Sequence, residues 1–143
     1  MIYFDTSALV KRYVTEKGSE KLDEMLAVNS FAATSKLTYA EILSAFTRRY
    51  REGEYSKNWL LKIIGNFEAE IEEFSVVDVK DDLLPIVKQL LLRHALRGSD
   101  AIHLASAIWL KNALKENITF AASDANLLKA AEKEGLIVIN PQD

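Results

Sequence analysis

The chain has 143 residues, of which 49% are hydrophobic, so it can bury a sizeable core, and we expect one domain spanning residues 1–143. It contains no cysteine, which excludes disulfides, thiolate metal sites and cysteine nucleophiles and favours a reducing cytoplasm over secretion. The formal net charge of −3 speaks against a protein that coats nucleic acid through bulk positive charge. A nucleic-acid enzyme remains compatible with this charge, because a bound metal ion reverses the local field.

Short apolar runs of strand length alternate with longer amphipathic segments along the chain, and most of the runs contain β-branched or aromatic residues. This alternation predicts about five strands. They are Ile2 to Phe4, Phe31 to Ala33, Phe74 to Val77, Ile118 to Ala121 and Leu136 to Ile139.

Helices are predicted where apolar residues recur at helical spacing. These segments are Leu37–Arg51, Tyr55–Ile71, Asp81–Ala95, Ser99–Leu114 and Asp124–Glu134. We expect Ser99 to cap the fourth of them and Gly135 to terminate the last, while Pro85 fits only in a first turn or at a kink. No stretch reaches the roughly 18 apolar residues of a membrane span, and the N-terminal sequence lacks the pattern of a signal peptide.

The predicted strands are continuous apolar runs joined by helices, which is typical of an α/β fold whose largely parallel sheet is covered on both faces. In such sheets ligands bind at the carboxyl ends of the strands. Asp5 directly follows the first predicted strand, and Asp124 follows the fourth. We therefore expect both acids at the same edge of the sheet.

Four acidic residues stand apart from the solvated charges of the chain, and each has an alternative role. Asp5 could simply cap the next helix, and Asp124 could cap the last one. Asp100 lies near a helix start, where the helix dipole stabilises a carboxylate without any function. Glu41 lies on an otherwise apolar helical face, where a carboxylate is costly unless it is paired or metal-bound, so we expect it to have a cation partner.

If these four carboxylates converge with no Lys or Arg placed among them, they repel one another and resist ionisation. A bound cation removes that conflict, and oxygen ligands without cysteine suit Mg²⁺ or Mn²⁺. The matching chemistry is phosphodiester hydrolysis. His103 lies one helical turn after Asp100 and could complete an Asp-x-x-His metal pair, but its apolar neighbours favour a packed, hydrogen-bonded histidine.

The pattern extends beyond single acids to four segments in a fixed order. They are IYFDTSALVKRYVTEKGSE, LTYAEILSAF, LRGSDAIHLASA and FAASDANLLKAAEKEGLIVINP. On these segments, which span nearly the whole chain, the protein resembles PIN-domain ribonucleases, most closely the VapC-type toxins of type II toxin–antitoxin pairs.

The resemblance implies that Asp5, Glu41, Asp100 and Asp124 are the catalytic, metal-binding acids, with Thr6 and Ser123 as supporting hydroxyl residues. It also implies a three-layer α/β/α sandwich, dependence on Mg²⁺ or Mn²⁺, endonucleolytic cleavage of RNA, a homodimer, and an antitoxin that inserts a peptide into the active-site groove. The RNA that is cleaved does not follow from the resemblance.

An acidic cleft that binds RNA needs positive charge nearby to contact phosphates. Arg12 and Arg48 are the preferred candidates, because they fall within a turn or two of Asp5 and Glu41, although either one could simply be a solvated surface residue.

Two alternatives to a toxin remain at this point. One is a stand-alone PIN nuclease of RNA maturation or decay. The other is a catalytically silent PIN module that binds RNA or protein, although such a module would have no need for four mutually repelling acids.

Overall fold

A parallel sheet of five strands forms the centre of the computed structural model, which describes residues 1–28 and 31–143. Its strands are β1 (Ile2–Phe4), β2 (Ala32–Ser35), β3 (Ser75–Val77), β4 (Thr119–Ala121) and β5 (Ile137–Ile139). They pair in the order β3-β2-β1-β4-β5, and every pair is parallel. The predicted sheet is therefore confirmed, with strand ends shifted by one or two residues.

Helices connect consecutive strands and cover both faces of the sheet. In the described residues they are α1 (Thr6–Leu9), α2 (Ser19–Val28), α3 (Leu37–Arg51), α4 (Lys57–Ile71), α5 (Leu84–Arg93), α6 (Gly98–Leu114) and α7 (Ala125–Lys133). Short 3₁₀ turns at Val10–Arg12 and Asp81–Leu83 precede α2 and α5. None of the helices in the described residues is long and apolar enough to span a membrane.

Two predicted helix starts are wrong. The segment that begins at Asp81 first forms a 3₁₀ turn, and α5 begins only at Leu84, which places Pro85 in its first turn. Proline is tolerated in a first turn because the N–H that it lacks has no helical partner there. The other difference is at α6, which begins at Gly98, so that Ser99 is not its N-cap.

Successive residues of β1 supply the cores on opposite faces, as the two-residue period of a strand requires. Tyr3 packs with residues of α6, β4 and α7, including Leu104 and Phe120. Phe4 packs with residues of α3 and α4, including Phe46 and Phe67. All six side chains are fully buried, and each contributes about 1.5–3 kcal/mol to folding. The end of β1 is therefore held firmly from both faces.

An ion cluster joins the segment after α1 to the helix that carries Glu41. Buried Lys11 lies 2.7 Å from Glu16, and Glu16 also pairs with Arg49 of α3. Burial of Glu16 opposes its charge, but Lys11 and Arg49 outweigh that effect and lower the pKa of its carboxyl. The pairing fixes α3 relative to the segment that follows Asp5.

Candidate active site

Asp5 lies at the carboxyl end of the central strand, where the strand order reverses between β1 and β4, and it is only 4% exposed. One carboxylate oxygen, Oδ2, accepts hydrogen bonds from the backbone N–H and the hydroxyl of Ser7. Asp5 therefore caps α1, as its alternative role requires. The other oxygen, Oδ1, lies 3.5 Å from Nε2 of His103. Capping and a position in the acidic cluster thus coexist in one residue.

Glu41 has the cation partner that its apolar surroundings demand. Its Oε1 atom lies 2.6 Å from Nε2 of His103 and accepts a hydrogen bond of 2.8 Å from the hydroxyl of Thr6. Burial raises the pKa of Glu41, but the contacts with His103 and Thr6 outweigh it and lower the pKa overall. Thr6, which is predicted to support the acids, therefore contacts one of them directly.

His103 is a packed, hydrogen-bonded histidine, which is the interpretation that the sequence favoured over a metal pair with Asp100. It is 1% exposed, and its Nδ1 lies 2.8 Å from the hydroxyl of Tyr3. Burial disfavours the charged ring, but contacts with Glu41 and Asp5 outweigh this and raise the pKa of His103. The raised pKa favours the protonated ring, which is the form that carries positive charge between Asp5 and Glu41.

Asp100 and Asp124 share an arginine, and the expectation that no Lys or Arg lies among the acids is wrong. Arg97 Nε lies 3.1 Å from Asp100 Oδ2, and Arg97 Nη2 lies 3.8 Å from Asp124 Oδ2. The guanidinium of Arg97 reaches both acids because Arg97 lies three residues before Asp100, at the N-cap position of α6. Asp124 also caps α7 by accepting a hydrogen bond of 3.0 Å from the N–H of Leu127.

Asp100 resists ionisation even though Arg97 lies against it. Burial is the largest effect on Asp100 and raises the pKa of its carboxyl. Arg97 lowers the pKa, Asp5 and Asp124 raise it, and the balance leaves it raised. The four predicted acids thus form two pairs, Asp5 and Glu41 at His103, and Asp100 and Asp124 at Arg97. The pairs are close enough for the charge of Asp5 to act on Asp100.

Ser7 and Ser123 join β1 to β4 beneath the acids. The backbone N–H of Ser123 donates to the hydroxyl of Ser7 over 3.0 Å, and Ser7 in turn donates to Asp5. Sequence reasoning did not single out Ser7, although its position two residues after a capping Asp was a usable signal. The hydroxyl oxygen of Ser123 is buried and has no hydrogen-bond partner among the described residues.

The comparisons with known proteins agree with this fold. The family model described as "PIN domain" matches residues 2–134. The chain belongs to the PIN-domain family. Ribonuclease VapC45 of Mycobacterium tuberculosis is 34% identical to it over 112 residues, which cover 76% of this chain and 75% of the relative. The resemblance to VapC-type PIN ribonucleases is therefore confirmed.

Solved structures with low sequence identity share the fold. A toxin–antitoxin complex from Klebsiella pneumoniae matches with a TM-score of 0.69 and 16% identity, covering 99% of this chain and 98% of that one. VapC20 of Mycobacterium tuberculosis, described as a sarcin-ricin loop cleaving toxin, matches with a TM-score of 0.67 and 17% identity over 96% and 97% of the two chains. These likenesses confirm the α/β/α fold.

The carboxylates of this PIN domain do not form a ready-made metal cage. Among residues 1–28 and 31–143, no three His, Asp or Glu side chains are arranged so that they could hold a metal ion. Instead, His103 lies against Asp5 and Glu41, and Arg97 lies against Asp100 and Asp124. Arg97 is 76% exposed at its side chain, so it is free to turn away.

The two predicted phosphate contacts lie in different settings. Arg12 pairs with Asp23 at 2.9 Å and with Glu70 at 3.0 Å, beside a cavity of about 770 Å³ between α2 and α4. Arg48 is exposed on α3, two helical turns after Glu41. The carboxylate partners of Arg12 make Arg48 the more available of the two for a phosphate.

Proposed function

We propose that this PIN domain is a Mg²⁺- or Mn²⁺-dependent endoribonuclease and the toxin of a toxin–antitoxin pair. The observation that carries the proposal is the convergence of Asp5, Glu41, Asp100 and Asp124 at the carboxyl edge of the sheet. The ribonuclease activity named for its VapC relatives supports a nuclease over a silent module. Their VapC designation favours a toxin over a stand-alone nuclease.

The donor atoms at this edge suit a hard divalent cation in their chemistry, although no three of the described acidic or histidine side chains are yet arranged around one ion. Their donors are carboxylate oxygens, which Mg²⁺ and Mn²⁺ prefer. Burial raises the pKa of Asp100, and Asp5 and Asp124 raise it further, so this carboxylate resists ionisation and gains from a nearby cation. The buried, unpartnered hydroxyl of Ser123 is a further oxygen donor at the same edge. Asp5, Glu41, Asp100 and Asp124 are the residues that would hold the ion.

Hydrogen bonds within the chain hold the acids in position to bind the metal ion. Ser7 fixes one oxygen of Asp5, and Thr6 and His103 fix one oxygen of Glu41. A bound divalent ion supplies polarisation of a phosphoryl oxygen and a lowered pKa for a coordinated water. These hydrogen bonds orient the metal ligands without touching the ion. Removing contacts of this kind typically lowers metal affinity or activity by about 10–100-fold.

The decisive experiment incubates the purified chain with RNA and Mg²⁺ or Mn²⁺, with and without EDTA. We expect cleavage at internal bonds that stops on chelation and returns when the metal is restored. Cleavage that persists in EDTA would contradict the metal dependence, and intact RNA under all conditions would contradict the nuclease.

Partner proteins are part of this proposal. A solved toxin–antitoxin complex shares the fold, which supports an antitoxin for this chain. Exposed leucines along α5, among them Leu84 and Leu92, add apolar surface that an interface of the expected homodimer could cover. Light scattering of the purified chain, alone and with a co-expressed antitoxin, tests both partners.

Mn²⁺ should raise the melting temperature of the wild-type chain, since a ligand that binds only the folded state stabilises it by mass action. At a concentration of about 100 times the dissociation constant, the gain is roughly 2.7 kcal/mol. A variant with Asn or Gln at all four acids should show no such gain. An equal shift in both proteins would place the metal outside the quartet.

Arg97→Gln should bind Mn²⁺ more tightly than the wild type, by up to about fivefold, because an exposed ion pair contributes at most about 1 kcal/mol. The guanidinium pairs with Asp100 and Asp124, so its removal frees two ligands and deletes a repelling charge. Titration calorimetry measures the affinity. Arg93→Gln is the matched control, because Arg93 is also exposed but pairs with Glu134. Unchanged affinity in Arg97→Gln would mean that the arginine and the metal do not compete.

A further inference from the structure

A second polar feature of the molecule is a small cavity between the end of α5 and one face of α7. It has a volume of about 200 Å³, and the polar residues that line it are Arg93, His94, Asn126, Lys129 and Lys133. None of its lining residues is acidic. In a chain with a net charge of −3, this is an unusual concentration of basic side chains.

Two larger cavities of the described residues have the opposite character. The cavity of about 770 Å³ sets Asp23, Glu70 and Glu73 against a single arginine. The cavity of about 410 Å³ sets Glu20, Glu24 and Asp143 against a single lysine. A bias towards basic residues is therefore a property of the cavity beside α7 and not a general feature of the surface.

The charges at this cavity are only partly neutralised. Glu134 lies 3.0 Å from Arg93 and 2.7 Å from His94. Lys129 and Lys133 are exposed, lie four residues apart on α7, and form no ion pair with any described residue. Like charges at this spacing destabilise a helix by a few tenths of a kcal/mol. The pair therefore costs the fold a little and leaves two ammonium groups available to an anion.

The cavity lies next to the acidic quartet in the fold. Asn126 follows Asp124 by two residues, and its amide donates a hydrogen bond of 2.7 Å to the carbonyl of Ala95, in the loop that leads to Arg97. Along the helix axis, Lys129 and Lys133 lie about 7.5 and 13.5 Å beyond Asp124. At about 3.4 Å per nucleotide of a stacked strand, that range corresponds to roughly two to four phosphates.

We propose that this cavity binds the phosphate backbone of the RNA, a few nucleotides away from the bond that the acidic quartet cuts. The proposal rests on the ribonuclease function proposed above and assigns a second, cationic site to it. Lys129 and Lys133 provide the contacts, Arg93 reinforces them, and the hydrogen bond between Asn126 and Ala95 fixes the wall nearest the quartet. Phosphate contacts of this kind position the strand without reading its sequence.

The test measures binding of a mixed-sequence single-stranded RNA in EDTA, on an Asp5→Asn background that keeps the RNA intact. In Lys129→Gln/Lys133→Gln we expect at least fivefold weaker binding at low salt. The slope of log affinity against log salt should become shallower by about 1.4, because each phosphate contact on a single strand contributes about 0.7. The control, Lys17→Gln/Lys57→Gln, removes the same charge from two exposed lysines elsewhere and should change affinity by less than twofold.

The outcomes separate this site from the proposed catalysis. Weaker binding and a shallower slope only in the Lys129 and Lys133 variant support the site, even if the wild type fails to cleave RNA and the nuclease proposal is wrong. Wild-type affinity and slope in that variant, or equal losses in the control, overturn the site even if cleavage is confirmed. Near-equal melting temperatures of both variants ensure that a loss is not caused by unfolding.

Discussion

Asp5→Asn and Asp100→Asn are each expected to abolish RNA cleavage, a loss of on the order of 100-fold or more, while the chain stays folded. An amide has nearly the shape of a carboxylate but is a weaker ligand for a divalent cation. The amide oxygen of Asn at position 5 can still accept the hydrogen bond from the N–H of Ser7, so the cap of α1 survives. Single-turnover cleavage with excess enzyme measures the loss directly.

The fold of these variants is checked by chemical denaturation without metal. Asp100→Asn removes one of several mutually repelling charges, so its stability should equal or exceed that of the wild type. Asp23→Asn is the matched control, because Asp23 pairs with Arg12 outside the quartet. We expect this variant to cleave RNA as the wild type does. If both site variants unfold and the wild type shows no metal-dependent cleavage, the acids serve the structure instead.

The sheet and the positions of its acids could be predicted because both depend on local pattern. Asp5 and Asp124 follow apolar runs, and parallel strands end at one edge. Helix α2 was missed because, of its ten residues, only Leu22 and Met25 are buried, which is too few to produce a clear helical period. Packing against the neighbouring segments decides its structure, and that information is not local.

Arg97 was not recognised as a partner of the acids because its role depends on a side-chain direction. The sequence places Arg97 three residues before Asp100, but it equally allows the guanidinium to point into solvent towards RNA, the role considered for Arg12 and Arg48. In the structure it turns back over the start of α6 and also reaches Asp124. The charge balance of the site, and hence its readiness for metal, could not be predicted without that contact.

His103 was open to two interpretations for a related reason. The spacing from Asp100 suits a metal pair, while the apolar neighbours suit a packed histidine. Its partners are Tyr3 and Glu41, which lie 100 and 62 residues away in the chain. Only the sheet, through β1, and the position of α3 bring them together.

His103→Leu is expected to lower the free energy of unfolding by about 2–3 kcal/mol in metal-free buffer, since removing one partner of a buried pair leaves the other uncompensated. The substitution deletes the contacts with Tyr3 and Glu41 and removes the positive charge near Asp5. Among the described residues, Glu41 would keep only the neutral hydroxyl of Thr6 as a hydrogen-bond partner. The midpoint of urea denaturation, with an unchanged slope, measures this loss.

Two further variants separate the charge of His103 from its size and its hydrogen bonds. His103→Gln retains an N–H donor for Glu41 without a positive charge and should lose less stability than His103→Leu. His94→Leu is the matched control, because it also removes a histidine that contacts a carboxylate, here Glu134 at 2.7 Å. Glu134 keeps its contact with Arg93 at 3.0 Å, so its charge stays compensated and the loss should be about 1 kcal/mol or less. Equal losses in the two leucine variants would show that burial alone, and not the charge held between Asp5 and Glu41, makes His103 important for stability.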